Sequence, residues 1–337
     1  MDAKITKKRL SRMLSYDWIK IIALAAALIF IWVMIFTMTA TRITPAQQFT
    51  VFNYMHNANL YTGKFGDLYQ KASEDGVFSY EVIECNTNDL STSGEQAHVI
   101  ADARLSTDEG DIMFVADAPD KDTASKNDKG ETVYQRTDLE SFLRGYGHYV
   151  FSLDPEDEKS YFNQMEKYLA KYYKEGAWQD DSKIDKEKIE KDFLIRIDGD
   201  KRFKTKAEIA QGKKDEVVRI QKYSAALVKF YDYVEKGYVA YTQTVYEEGE
   251  FKIDGVYSIN IAPQFLKDGE TENPLASKLA DYLGYYTSYV NENGETKNKL
   301  TAENMNVAFF DLQGVEEGFQ YESLLFVTYL LDACLAA

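Results

Sequence analysis

Residues 49–54 read FTVFNY, residues 77–83 VFSYEVI and residues 111–116 DIMFVA. Each run is short and rich in β-branched and aromatic residues, and each predicts a strand. Between the first two, Tyr61–Ala72 sets Phe65, Leu68 and Tyr69 at helical spacing and closes on Asp75-Gly76. Between the second and third, Ser93–Leu105 does the same with Ala97, Ile100, Ala103 and Leu105, and stops at Asp108-Glu109-Gly110. Strand, helix, strand, helix, strand within about 70 residues is the pattern of a parallel sheet with right-handed crossovers. The expected fold class is therefore α/β.

Upstream, Ile21–Thr41 contains no charged residue, and Ile21–Phe36 is apolar throughout. A helix of that length covers the ~30 Å hydrocarbon core of a bilayer. Residues 1–20 hold Lys4, Lys7, Lys8, Arg9, Arg12 and Lys20 against Asp2 and Asp17, a net charge of +4. The whole chain carries −16, so residues 21–337 carry −20. The positive-inside rule then places residues 1–20 in the cytoplasm and the acidic domain outside, on a single-pass signal-anchor in the cell membrane. The competing reading is a cleaved signal peptide. Its apolar region is normally shorter, and Thr37-Met38-Thr39-Ala40 makes a poor small-x-small site. Trp32 and Phe36 suit a spanning helix better, and no cysteine follows to carry a lipid.

Downstream, 42–48 is a connector, 49–152 an α/β lobe, 153–250 a helix-rich lobe or insertion, and 251–337 a return to the first lobe. Residues 117–131 (DAPDKDTASKNDKGE) are polar, without the spacing of a calcium loop. Residues 138–152 hold a short apolar turn around Phe142, Leu143, Tyr146 and Tyr149. Phe162, Met165, Tyr168, Leu169 and Tyr172 share one helical face. Ile220, Tyr223, Leu227, Phe230, Val234 and Tyr238 share another, which reads as core in preference to a coiled-coil seam. A short strand is expected at Phe193–Ile197, a strand at Val256–Ile261 and a helix over Leu275–Val290. Asn293-Gly294 then predicts a turn, Asn306–Asp311 a buried strand, and Phe319–Leu335 a core helix whose uncharged run, Ser323–Leu331, is too short to span.

Composition bounds the function. With 45% hydrophobic residues and 14% aromatic, including 25 tyrosines, the chain has ample material for a core. Its acidity argues against nucleic acid, whose phosphates require Lys and Arg. Cys85 and Cys334 have neither metal-ligand spacing nor a disulfide framework, although a bridge between them stays open. The sequence lacks G-x-S-x-G, a phosphate loop, H-E-x-x-H and C-x-x-C, so no enzyme is expected and no cofactor or metal is implied. His56, His98 and His148 lie far apart in sequence.

The first strand-and-helix run, the segment Leu105–Val115 (LSTDEGDIMFV) and the later Gly255–Ile259 (GVYSI) resemble the N-terminal lobe of bacterial extracellular solute-binding proteins. In that family Gly-Asp leads into the third strand, as Gly110-Asp111 does here. The likeness covers about half of the outer domain. It implies a periplasmic-binding-protein-like ectodomain that captures a small ligand, a sugar or peptide, or assists a transporter. Two departures are the spanning helix, where relatives are released or lipid-anchored, and an outer part of about 290 residues, short for two lobes. They leave a second reading, a scaffold subunit of a cell-envelope complex.

In open parallel sheets, ligands sit beyond the carboxyl ends of the strands. The residues expected there are Asn53, Tyr54 and His56 after the first strand and Asp117 after the third. Tyr257, Asn260 and Gln264 join them from the returning strand. Tyrosine and asparagine suit stacking on, and hydrogen bonding to, a sugar or peptide.

Overall fold

Helix α1 (Lys7–Thr39) runs for 33 residues, about 50 Å at the usual rise, and begins within the basic segment. Its stretch Trp18–Thr37 has a mean hydropathy of 2.7. Trp32 and Phe36 stack at 5.6 Å along its side. It is the one helix among the described residues long and apolar enough to cross a membrane. The computed structural model describes the chain except residues 1–6, 40–42, 45–46, 55–58, 61, 91–95, 291–294, 301, 303, 313–317 and 337.

Residues 44–337 form a second unit of their own. Its strands are β1 (Gln48–Tyr54), β2 (Asn59–Leu60), β3 (Glu84–Asp89), β4 (Ile112–Ala116), β5 (Ala124–Lys126), β6 (Thr132–Tyr134), β7 (Ala240–Glu248), β8 (Phe251–Asn260), β9 (Tyr285–Val290), β10 (Thr296–Leu300) and β11 (Met305–Phe309). The helices that follow α1 are α2 (Thr62–Glu74), α3 (Gln96–Leu105), α4 (Asp138–Tyr146), α5 (Tyr161–Ala170), α6 (Lys186–Arg196), α7 (Lys206–Lys236), α8 (Pro274–Leu283) and α9 (Glu322–Ala336).

The main sheet has the order β3-β1-β4-β11-β8-β7. β1 is parallel to both β3 and β4, as expected, whereas β11 is antiparallel to β4 and β8, and β7 to β8. The sheet is thus mixed. Both faces of its centre are covered, which is why β1 and β4 read as unbroken apolar runs. Phe49, Val51, Ile112, Phe114, Val307 and Phe309 face the larger core with α2, α5, α7, α8 and α9. Phe52, Tyr54, Met113, Val115 and Ala308 face a smaller one with α3 and α4.

Four local expectations change. Residues 77–83 are not a strand: Phe78 leaves the ladder to pack on Phe49 and Phe326, with ring centroids at 4.6 and 6.1 Å. The polar run that follows, β3, takes the sheet edge, where solvent tolerates its side chains. Phe193–Ile197 lies within or just beyond α6, where the Asp185 side chain caps the Lys188 amide at 3.1 Å and Ile189 and Phe193 share the buried face. The expected helix over 275–290 stops at Leu283 because Gly284 turns left-handed (φ +73°), and the aromatic stretch beyond becomes β9. Residues 138–146 coil into α4 behind a Thr137/Glu140 capping box. The turn at Asn293-Gly294 lies outside the described residues.

The helix-rich middle packs into the same core as the flanking lobe. Tyr161, Phe162, Ile220, Leu227 and Phe230 belong to one buried cluster with Phe49, Ile112 and Leu324. The apolar seam of α7 therefore faces its own domain.

A buried ionic network ties these helices to the chain before β3. Arg219 donates to Glu216 (2.5 and 3.1 Å) and to the Tyr168 hydroxyl (2.8 Å). Arg196 spans Glu216 (2.6 Å) and Glu81 (2.9 Å), and Arg202 reaches the other oxygen of Glu81 at 2.5 Å. The Phe319 ring lies 5.0 Å from the Arg196 guanidinium and 4.8 Å from that of Arg219. Every carboxylate oxygen named here meets a guanidinium, the condition for keeping such charges inside a protein. Cys85 and Cys334 are free thiols.

Candidate functional site

The carboxyl ends of β1 and β4 open onto a cleft of about 430 Å³ on the α3–α4 side of the sheet. Tyr54, the last residue of β1, forms its buried floor. His98 enters from α3, Ser141, Arg144 and Gly145 from α4, Asp120, Asp122, Thr123 and Arg136 from the connection between β4 and α4, and Phe251 from the start of β8. Arg144 and Phe251 also line a neighbouring hollow of about 190 Å³ with His148 and Tyr257. This size suits a small molecule.

The walls are held by local hydrogen bonds. The Asp120 side chain accepts from the Asp122 amide (2.9 Å) and caps the 3-10 turn Lys121–Thr123. The Thr123 hydroxyl donates to the Asp120 carbonyl at 2.8 Å and accepts from the Arg136 amide at 3.3 Å. Strands β5 and β6 pair as a hairpin between these residues, so this polar stretch is ordered structure that brings Arg136 back beside Asp120. The Ser141 hydroxyl donates to Asp120 Oδ2 (2.5 Å) and accepts from Arg136 Nε (3.3 Å), joining α4 to the loop.

The fourth wall is the β7–β8 hairpin. Its register shifts at Thr242/Gln243, opposite Tyr257, and a Cβ on Gly255 would stand 3.0 Å from the Tyr257 ring. The shift and the bare glycine let the hairpin bend so that Tyr246, Phe251 and Ile253 pack into the α3–α4 core. At its tip Glu248 accepts from Arg136 (3.0 Å) and the Tyr246 hydroxyl (2.8 Å) and forms an ion pair with Arg144 at 3.0 Å.

The cleft carries both charges. Burial first, then Asp120 and Asp138, raise the Tyr54 hydroxyl well above its ordinary value, so it stays protonated. The Tyr246 hydrogen bond, then Arg144 and Arg136, hold the Glu248 carboxyl below its ordinary value. His98 Nδ1 lies 2.9 Å from the Tyr146 hydroxyl, and the two rings stack at 6.0 Å. Among the described residues no three His, Cys, Asp or Glu side chains stand together as metal ligands.

Of the residues expected to form the site, Tyr54 lies in the cleft and Tyr257 in the adjoining hollow. Asn53, one residue earlier on β1, points to the opposite face and accepts from the buried Tyr285 hydroxyl at 3.1 Å. Asp117 donates its amide to the Asn304 carbonyl (2.9 Å). Asn260 turns the chain out of β8 by accepting from the Ala262 amide (2.9 Å), and Gln264 is exposed on the loop beyond. None of these four lines the cleft. His56 lies outside the described residues.

Sequence reasoning missed His98, Asp120, Asp122, Arg136, Ser141, Arg144 and Glu248. One signal was present in the Thr137-x-x-Glu140 capping box, which starts a helix there and sets Ser141 and Arg144 on it. The contribution of Glu248 depends on the bend of a hairpin over a hundred residues away in sequence. Comparison with family models, with curated proteins and with solved structures finds no match to this chain.

Proposed function

We propose that this chain is a membrane-tethered, solute-binding-like ectodomain that captures a small polar ligand in the cleft above Tyr54. The observation that carries this reading is the cleft itself: about 430 Å³, at the carboxyl ends of parallel strands, with Arg136, Arg144, Asp120 and Asp122 around an aromatic floor. The resemblance of Leu105–Val115 to solute-binding proteins points the same way. α1 is the tether, with the basic tail in the cytoplasm and the acidic domain outside. The cleft lies within one compact unit, Thr44–Ala337.

The test is thermal unfolding of the full chain in lipid nanodiscs against panels of sugars, amino acids and short peptides. A true ligand at a hundred times its Kd adds about 2.7 kcal/mol of stability, a shift of several degrees. The shift should vanish in Arg144→Gln and Tyr54→Ala. If no class of ligand moves the transition, the reading fails.

A further inference from the structure

Two hydrogen-bond donors and a second guanidinium converge on one oxygen at the rim of the cleft. Arg136 Nη1 and Arg144 Nε each lie 3.0 Å from Glu248 Oε2, and the Tyr246 hydroxyl lies 2.8 Å from it. Two guanidiniums and a phenol around a single carboxylate oxygen make an anion seat, and arginine is the side chain whose fork suits a carboxylate best. The occupant comes from the chain itself, at the end of β7 beside Gly249, which takes a left-handed turn (φ +63°).

This occupant is easily exchanged. The side chains of Glu248 and Arg144 keep 43% and 48% of their surface exposed, and solvent screens pairs this open so that they hold only weakly. Arg136, at 18% exposure, has two further contacts, to the Ser141 hydroxyl at 3.3 Å and the Tyr246 hydroxyl at 3.4 Å. Asp120 and Asp122 line the same cleft and supply negative charge for a cationic group.

We infer that the cleft takes a zwitterion, an amino acid or short peptide with a free carboxylate, and that Glu248 is a built-in stand-in which the ligand carboxylate displaces from Arg136 and Arg144. This rests on the ligand-capture reading above and narrows it: a neutral sugar has no group to compete with Glu248. Removing the stand-in charge should therefore strengthen binding, the opposite of what a direct ligand contact at Glu248 would do.

The experiment is calorimetric titration of the full chain in nanodiscs with three probes: alanylalanine, its C-terminal amide, and glucose. Alanylalanine should bind at least about tenfold more tightly than its amide, the scale of one charge-assisted pair. Glu248→Gln should tighten alanylalanine several-fold and leave the amide unchanged, while Arg144→Gln should weaken alanylalanine. Glu248 is on the surface, and the unchanged melting temperature of its variant would establish that it folds. Equal binding of acid and amide, or a Glu248→Gln affinity no tighter than wild type, overturns the inference and leaves ligand capture standing. Binding of glucose alone does the same. No binding of any probe to either protein also overturns the inference, and the wider panel of sugars, amino acids and peptides then decides whether ligand capture stands.

Discussion

Asp111 sits just before β4 in a narrow crevice beside Gly110, Phe151, Phe310 and Ser323, and its Oδ2 accepts from the Thr50 amide at 2.6 Å. Burial, and next among the raising influences the Glu322 carboxylate, push its carboxyl up to about 8, against the downward pull of the Thr50 hydrogen bond. The folded protein then holds a proton that the unfolded chain releases near the ordinary value of 3.8. The stability this proton confers is complete below about pH 4 and is lost as pH rises through 8. Melting temperatures taken between pH 5 and pH 9 should fall steadily for the wild type. In Asp111→Asn, whose amide oxygen keeps the Thr50 bond, the decline should be clearly shallower. Parallel declines in the two proteins would show that Asp111 is ionised throughout. Glu216 works in another window: burial alone would raise it, but Arg219 and Arg196 hold it below its ordinary value, so its contribution is lost only in acid.

At the scale of elements, the pairing of α6 with α7 depends on Gly212. A Cβ there would lie 2.5 Å from the Phe193 ring and 2.6 Å from that of Phe203. Glycine within a helix normally costs about 1 kcal/mol relative to alanine, so an unconstrained Gly→Ala change stabilises. Here the added methyl must displace two rings packed edge to face at 5.2 Å. Gly212→Ala should lower the urea midpoint by an amount equivalent to about 1–3 kcal/mol, as overpacking does. A stabilised variant would mean that the helices separate freely. No sequence pattern announces this contact, because a helical glycine looks the same whether or not a neighbour presses on it. What was legible is what period alone decides: β1 and β4 as apolar runs, α5 and α7 as single-faced helices, and α9 as a core helix. Residues 77–83 were misread because their side chains are consumed by tertiary partners, Phe78 in the core and Glu81 by two arginines. The cleft was half legible for a related reason. The carboxyl-end rule points to the end of the sheet where this cleft opens, but which face opens depends on how α3, α4 and a bent hairpin cover it.

At the scale of the molecule, the decisive question is whether α1 remains on the chain. Its window Trp18–Thr37 has a mean hydropathy of 2.7, which suits a lipid environment or a leader removed by a peptidase. A cleaved leader and a retained tether make opposite demands on the mature chain. Retention predicts an intact N-terminal sequence including Lys7–Lys20, a full mass of 38.6 kDa, and resistance to extraction by alkaline carbonate. Cleavage after the apolar run predicts a mature start near residue 40 and a protein released by osmotic shock. The charge distribution adds a topological arm, since the six Lys and Arg before residue 21 favour outward placement of residues 44–337. Protease added to sealed right-side-out vesicles should degrade that domain and spare an N-terminal tag. Placing arginines at Ala27 and Ile31 should release the chain from the membrane, because each charge at a helix centre costs about 2.5–3.5 kcal/mol of insertion. If the doubly substituted chain still pellets with membranes, residues 44–337 themselves hold it there and α1 is not the sole anchor.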